Sequence, residues 1–92
     1  MIPFDRAEEL AEEMVAALGA ACGDEFSLIY EKTIEVAEGW VFFYNSREFI
    51  ETGDFISALA GNGPIFVDRS GAIRQLPSAV PWDIAIRSID CL

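Results

Sequence analysis

Ninety-two residues are enough for one compact core and too few for two, so the chain is read as a single domain over residues 1–92. An apolar share of 52% and an aromatic share of 12% exclude disorder in spite of the charge. The net charge of −10 excludes nucleic acid and anionic membranes, whose phosphates would repel this surface, and favours a partner with a basic contact surface.

Residues 5–18 are expected to form a helix, because Ala7, Leu10, Ala11, Met14, Val15 and Leu18 recur at spacings of three and four and build one apolar stripe. Asp5 stands as its N-cap, Glu8 completes a capping box, and Gly19 is placed to end it. On the outer face Glu8 and Glu12, and Glu9 and Glu13, are like-charge pairs four residues apart, each costing about 0.2–0.5 kcal/mol. The helix dipole rewards a carboxylate only in the first turn, so folding alone gives no reason for Glu12 and Glu13.

From Phe26 the period falls to two. Phe26, Leu28, Tyr30, Ile34 and Val36 share one face of a long strand, with Ser27, Glu31, Thr33 and Glu35 on the other. Lys32 interrupts the apolar face, which predicts a bend, a bulge or an edge position midway. Ala37-Glu38-Gly39 offers a turn into a second strand, Trp40–Tyr44. The face of that strand carrying Val41 and Phe43 needs cover from the C-terminal segment or from a partner.

Thr52-Gly53-Asp54 and Gly61-Asn62-Gly63-Pro64 mark turns, and Asp54 is expected to cap a short helical turn that buries Phe55, Ile56 and Leu59. Pro64–Asp68 and Ala72–Leu76 form a second hairpin around Asp68-Arg69-Ser70-Gly71. After Pro77, Pro81 takes the first position of a short amphipathic helix with Trp82, Ala85, Ile86 and Ile89 on its apolar stripe. The sum is an α+β fold: an N-terminal helix packed on an antiparallel sheet of about four strands, built as two hairpins, with a short C-terminal helix.

Little in the sequence can do chemistry. There is no histidine, which removes the commonest general base and the commonest zinc ligand. Lys32, the only lysine, has no nucleophile motif around it. Cys22 and Cys91 have neither metal-binding spacing nor a basic neighbour to lower their pKa, and are expected as idle reduced thiols. The helix carboxylates face solvent, with no second carboxylate opposed across a cleft and no EF-hand spacing. The Gly61-Asn62-Gly63-Pro64 stretch lacks the lysine of a phosphate cradle and leads into a strand. Trp40 and Trp82 are good anchors for an interface, but they fall in apolar patterns, where a tryptophan is more often core, and are expected there. No catalytic residue, cofactor or metal is assigned. Without an apolar leader or a spanning segment, the chain is expected in the cytoplasm.

What remains is the surface. Residues 1–46 hold ten acids against Arg6 and Lys32, a balance of −8, whereas residues 47–92 hold six acids against four arginines, a balance of −2. In the acidic half, periodicity exposes Glu8, Glu9, Glu12, Glu13, Glu31 and Glu35, and these are the candidate partner-binding residues. A second copy of the chain, giving a homodimer, is also left open as a partner.

The run Gly39-Trp40-Val41-Phe42-Phe43-Tyr44-Asn45-Ser46-Arg47-Glu48-Phe49, followed by Glu51-Thr52-Gly53-Asp54, resembles the YrhB-like immunity proteins, the immunity protein 35 family. Leu59-Ala60-Gly61-Asn62-Gly63-Pro64-Ile65-Phe66-Val67-Asp68, closed by Gly71, is similar to the family's glycine-asparagine-x-proline strand and valine-aspartate hairpin. Residues 1–38 match only in the order of elements. The resemblance implies a small cytoplasmic protein of bacterial polymorphic-toxin systems that binds and neutralises a cognate toxin without catalysis. It also implies an alternative, a chaperone-like protein holding partly unfolded clients, for which an exposed Val41 and Phe43 patch would serve.

Overall fold

In the computed structural model, residues 1–53, 59, 63–78 and 81–90 are described, the side chains of 87–90 excepted. Helix α1 runs Phe4–Cys22. It starts one residue earlier than the sequence predicts, with Pro3 at the N-cap and no capping side chain, so Asp5 belongs to the first turn. Tertiary contact explains the difference: Phe4 sits edge-on to Trp40 at 6.2 Å and stacks with Phe42 at 6.1 Å, which fixes the helix start from the core side. The C-terminus is also displaced. Gly19 lies inside the helix, where an added Cβ would stand 2.8 Å from the Asp24 carbonyl and 3.0 Å from the Phe26 nitrogen. Its role is to let the returning chain pass close by, and Gly23, at φ 69°, is the left-handed residue that ends the helix.

The long strand expected from Phe26 to Val36 is divided into β1 (Phe26–Leu28), a 3-10 turn (Tyr30–Lys32) and β2 (Ile34–Val36). Its partner divides at Phe43 into β3 (Gly39–Phe42) and β4 (Tyr44–Ser46). Leu28 pairs with Tyr44 and Ile34 with Val41, so residues 29–33 face only 42–43 across the ladder, an excess of three. An odd excess inverts the facing of every side chain beyond it. Phe26 and Leu28 pack on the side of α1, whereas Ile34 and Val36 pack on the opposite side. The single apolar face read from the sequence is therefore two faces, and Tyr30 lies at the switch with neither, 47% exposed.

Helix α2 (Arg47–Thr52) follows β4 at once, capped by Ser46, whose Oγ accepts the Phe49 N–H at 3.1 Å. Strands β5 (Ile65–Asp68) and β6 (Ile73–Gln75) form the predicted second hairpin. Asp68 Oδ1 accepts from the Ser70 N–H at 2.9 Å, the Ser70 hydroxyl at 2.6 Å and the Ala72 N–H at 2.9 Å. These donors, the Ser70 hydroxyl foremost, hold the Asp68 carboxyl below its usual pKa. Helix α3 (Trp82–Asp90) begins just after Pro81, whose carbonyl accepts from Ile84 and Ala85. The expected cap at Asp54, with Phe55 and Ile56, lies outside the described residues, as do Gly61, Asn62, Cys91 and the Ile89 side chain. Leu59 is described and is partly buried against the α1-side core.

Four strands form one antiparallel sheet in the order β2-β3-β5-β6, and β1 pairs with β4 as a separate two-stranded ladder. Alternation along β3 and β5 sends Trp40, Phe42, Ile65 and Val67 to the core under α1, with Ala7, Ala11 and Val15. Val41 and Phe66 face the other way, to a second core closed by Leu76, Ala85 and Ile86. Cover for Val41 thus comes from the C-terminal segment. Val41 is fully buried and Phe43 partly so, which removes the exposed patch that client holding would use.

Candidate functional site

The inversion at the 3-10 turn decides which carboxylates meet. Glu35 is paired with Trp40 across the ladder and so projects from the α1 side of the sheet, while Ile34 and Val36 fill the other side. Glu35 Oε2 accepts from Arg69 Nη1 at 3.1 Å. Arg69, in the β5–β6 turn, also donates to the carbonyls of Val36 at 2.6 Å and Ala37 at 3.3 Å, and its guanidinium lies 4.3 Å from the centre of the Trp40 ring. One arginine thus holds the β2–β3 turn, the strand carboxylate and the aromatic floor in a fixed relation.

Tyr30 reaches the same region from the 3-10 turn, its hydroxyl donating to Glu12 Oε2 of α1. A solvent-open cavity of about 390 Å³, no more enclosed than a surface groove, lies here, lined by Phe4, Tyr30, Thr33, Glu35 and Trp40. Its apolar walls are unevenly exposed: Phe4 at 40% and Tyr30 at 47% stand in solvent, and Trp40 at 3% forms the floor.

The electrostatics show an unbalanced negative field. Tyr30 is pushed up to about 12, first by its hydrogen bond to Glu12, then by burial, then by the charges of Glu12 and Glu8. Its folded value lies above its ordinary value of 10.0, so the stability it contributes is complete below pH 10.0 and is lost as pH rises towards about 12. An alkaline absorbance titration should show one phenol ionising near 12, and Glu12→Gln should bring it back towards 10.0.

Glu8 is raised above its usual value by burial first, then by Glu12 and Asp5. A raised carboxyl favours the fold while protonated, and that advantage is lost as pH rises through its folded pKa. Glu8→Gln should therefore stabilise the protein near neutral pH by about 0.2–0.5 kcal/mol, the cost of one like-charge pair, and leave it unchanged in acid. Thermal unfolding at the two pH values checks this.

Of the six carboxylates selected from the sequence, Glu8, Glu12 and Glu35 gather around Tyr30 and its cavity. Glu31 is exposed beside Tyr30 in the turn. Glu9 and Glu13 are exposed about 100° further round α1, and Glu9 accepts from Arg6 at 3.1 Å. Sequence reasoning missed Phe4, Tyr30 and Arg69 as site residues. The signal that bore on Tyr30 was Lys32, whose break in the apolar alternation marks the turn that presents the phenol.

Open grooves also lie between the C-terminal half of α1 and α2, where Asp24, Glu25 and Glu51 surround Arg47 with Ala16, Ala20 and Ile50 beside them. Glu25 and Glu51 hold Arg47 at 3.3 and 2.9 Å. Solvent-exposed pairs of this kind contribute little.

The profile of the family described as immunity protein 35 matches residues 5–87. Among curated proteins the chain is similar to one described as "Uncharacterized protein YrhB" from Escherichia coli (strain K12), 48% identical over 48 residues, 51% of each chain. The matched stretch thus spans about half the length of that relative. No solved structure matches.

Proposed function

The chain belongs to the immunity protein 35 family, and from that premise we propose that it neutralises a cognate bacterial toxin by binding it, as part of a polymorphic-toxin system in the cytoplasm. The observation that carries the reading is the gathering of Glu8, Glu12 and Glu35 around an exposed tyrosine, with Glu31 alongside. Clustered carboxylates lower stability and are tolerable where a basic partner later neutralises them, while exposed aromatics give the contact centre that charge alone lacks. Glu9 and Glu13 extend the same field at longer range. The action is stoichiometric cover of the toxin, with no bond made or broken.

The test is co-expression with the reading frame adjacent to this protein's gene. If that frame kills cells alone and this chain rescues them, the reading stands. A lethal neighbour left unaffected at matched expression contradicts it.

A further inference from the structure

We propose that the cavity between α1 and β2 receives a lysine or arginine side chain of the protein partner. This rests on the toxin-binding reading and assigns it an anchor point. The cavity, about 390 Å³, is in the range that holds a discrete ligand group. Above a Trp40 floor that Arg69 already covers, its walls combine the rings of Phe4 and Tyr30 with the Glu35 carboxylate, whose Oε2 is on Arg69, a set of groups that attracts a cation with an apolar stem.

The protein already shows the chemistry once within itself. Arg69 lies 4.3 Å over the Trp40 ring with Glu35 at 3.1 Å, so a guanidinium is stable in this setting. What Arg69 leaves open is the ring surface of Phe4 and Tyr30. Both rings are held in advance of binding, Phe4 by Trp40 and Phe42 and Tyr30 by Glu12, so little order has to be imposed by the partner. Thr33, in the same wall, has a buried hydroxyl oxygen with no hydrogen-bond partner. An incoming N–H would give it one after a small rotation. Glu12, bonded to the Tyr30 hydroxyl, and Glu8, whose charge also acts on Tyr30, add negative potential beside the cavity, which favours a cation over a neutral group. A bare divalent metal is a poor fit, because among the described residues one carboxylate lines the cavity and such ions take six or more oxygens.

The experiment is an NMR titration of the whole chain at low salt with Nα-acetyl-arginine amide, against the neutral isostere Nα-acetyl-citrulline amide. The arginine probe should move the Trp40 indole N–H and the amides of Tyr30, Thr33 and Glu35, with the Trp82 indole, on the far side of the sheet, as the unmoved control. Glu35→Gln should weaken the probe roughly threefold to tenfold. Arg69 keeps the Val36 and Ala37 carbonyls in that variant, so the turn stays held.

Equal shifts with citrulline, or shifts spread evenly over the acidic surface, would overturn the proposal. So would a toxin that this chain neutralises without moving the cavity resonances, which would leave a site for free small cations only. The two readings fail separately: rescue that persists undiminished in a folded Tyr30→Ala/Glu35→Gln variant removes the anchor and spares neutralisation. Failure of the wild-type chain to rescue, with the probe still bound in the cavity, removes neutralisation and the partner with it.

Discussion

Gly63→Ala should destabilise the chain by about 4 kcal/mol or more, a large share of its total stability. A Cβ at this position would fall 1.6 Å from the Leu76 carbonyl oxygen and 2.8 Å from its carbon, both backbone atoms that have no rotamer to retreat to. The clash sits where Leu76 N–H donates to the Pro64 carbonyl at 2.8 Å and Gln75 Nε2 to the Gly63 carbonyl at 3.3 Å, so relief would separate β5 from β6. Leu76 is itself part of the α3-side core. A fold of this size is stable by only about 5–14 kcal/mol, and backbone strain in a packed element costs on the order of 4 kcal/mol or more. Circular dichroism with thermal unfolding checks this, and a melting curve like that of the wild type contradicts the packing described.

The second large effect is on capture. Glu8→Gln with Glu12→Gln should slow association with the toxin by roughly tenfold at low salt and flatten its salt dependence. Glu9→Gln with Glu13→Gln removes the same formal charge from the same helix, and should slow it less. The first pair acts beside Tyr30 and the cavity, whereas the second lies further round the helix with Glu9 already on Arg6. Equal loss from the two double variants would mean that only total charge matters and the cavity is incidental. Dissociation rates should change little in either, since steering charges act mainly on encounter.

Helix α1, both hairpins and the C-terminal helix were legible in the sequence because each carries enough periods of its own spacing to identify it. Helix α2 was not, because Arg47–Thr52 is too short to show a helical repeat, and its local marks are only its ends, the cap at Ser46 and the left-handed Gly53. The division of the long strand was foreshadowed by Lys32, but its consequence was not. Whether an interruption adds an even or an odd number of residues fixes the facing of all that follows, and only the pairing shows an excess of three. Glu35 therefore joins the α1 side for a reason absent from its neighbours in sequence.

The candidate site was legible in the same partial way. Residue type and helical spacing identified the exposed carboxylates, because those depend on local geometry. That Glu8 and Glu12 would meet Tyr30, and Phe4 the Trp40 ring, depends on contacts between segments far apart in the chain. Gly63 shows the limit plainly: read as a turn former beside Asn62, it is needed for close passage against the Leu76 carbonyl.

The most direct test of the account is a titration of the purified toxin's activity with increasing amounts of this protein. Activity should fall in a straight line and reach its floor at one chain per toxin, or at a fixed small-integer ratio if the chain acts as a dimer. Inactivation by far less than a molar equivalent would mean turnover, and protection only against aggregation, with activity intact, would mean client holding. Either result would contradict neutralisation by a charged and aromatic surface.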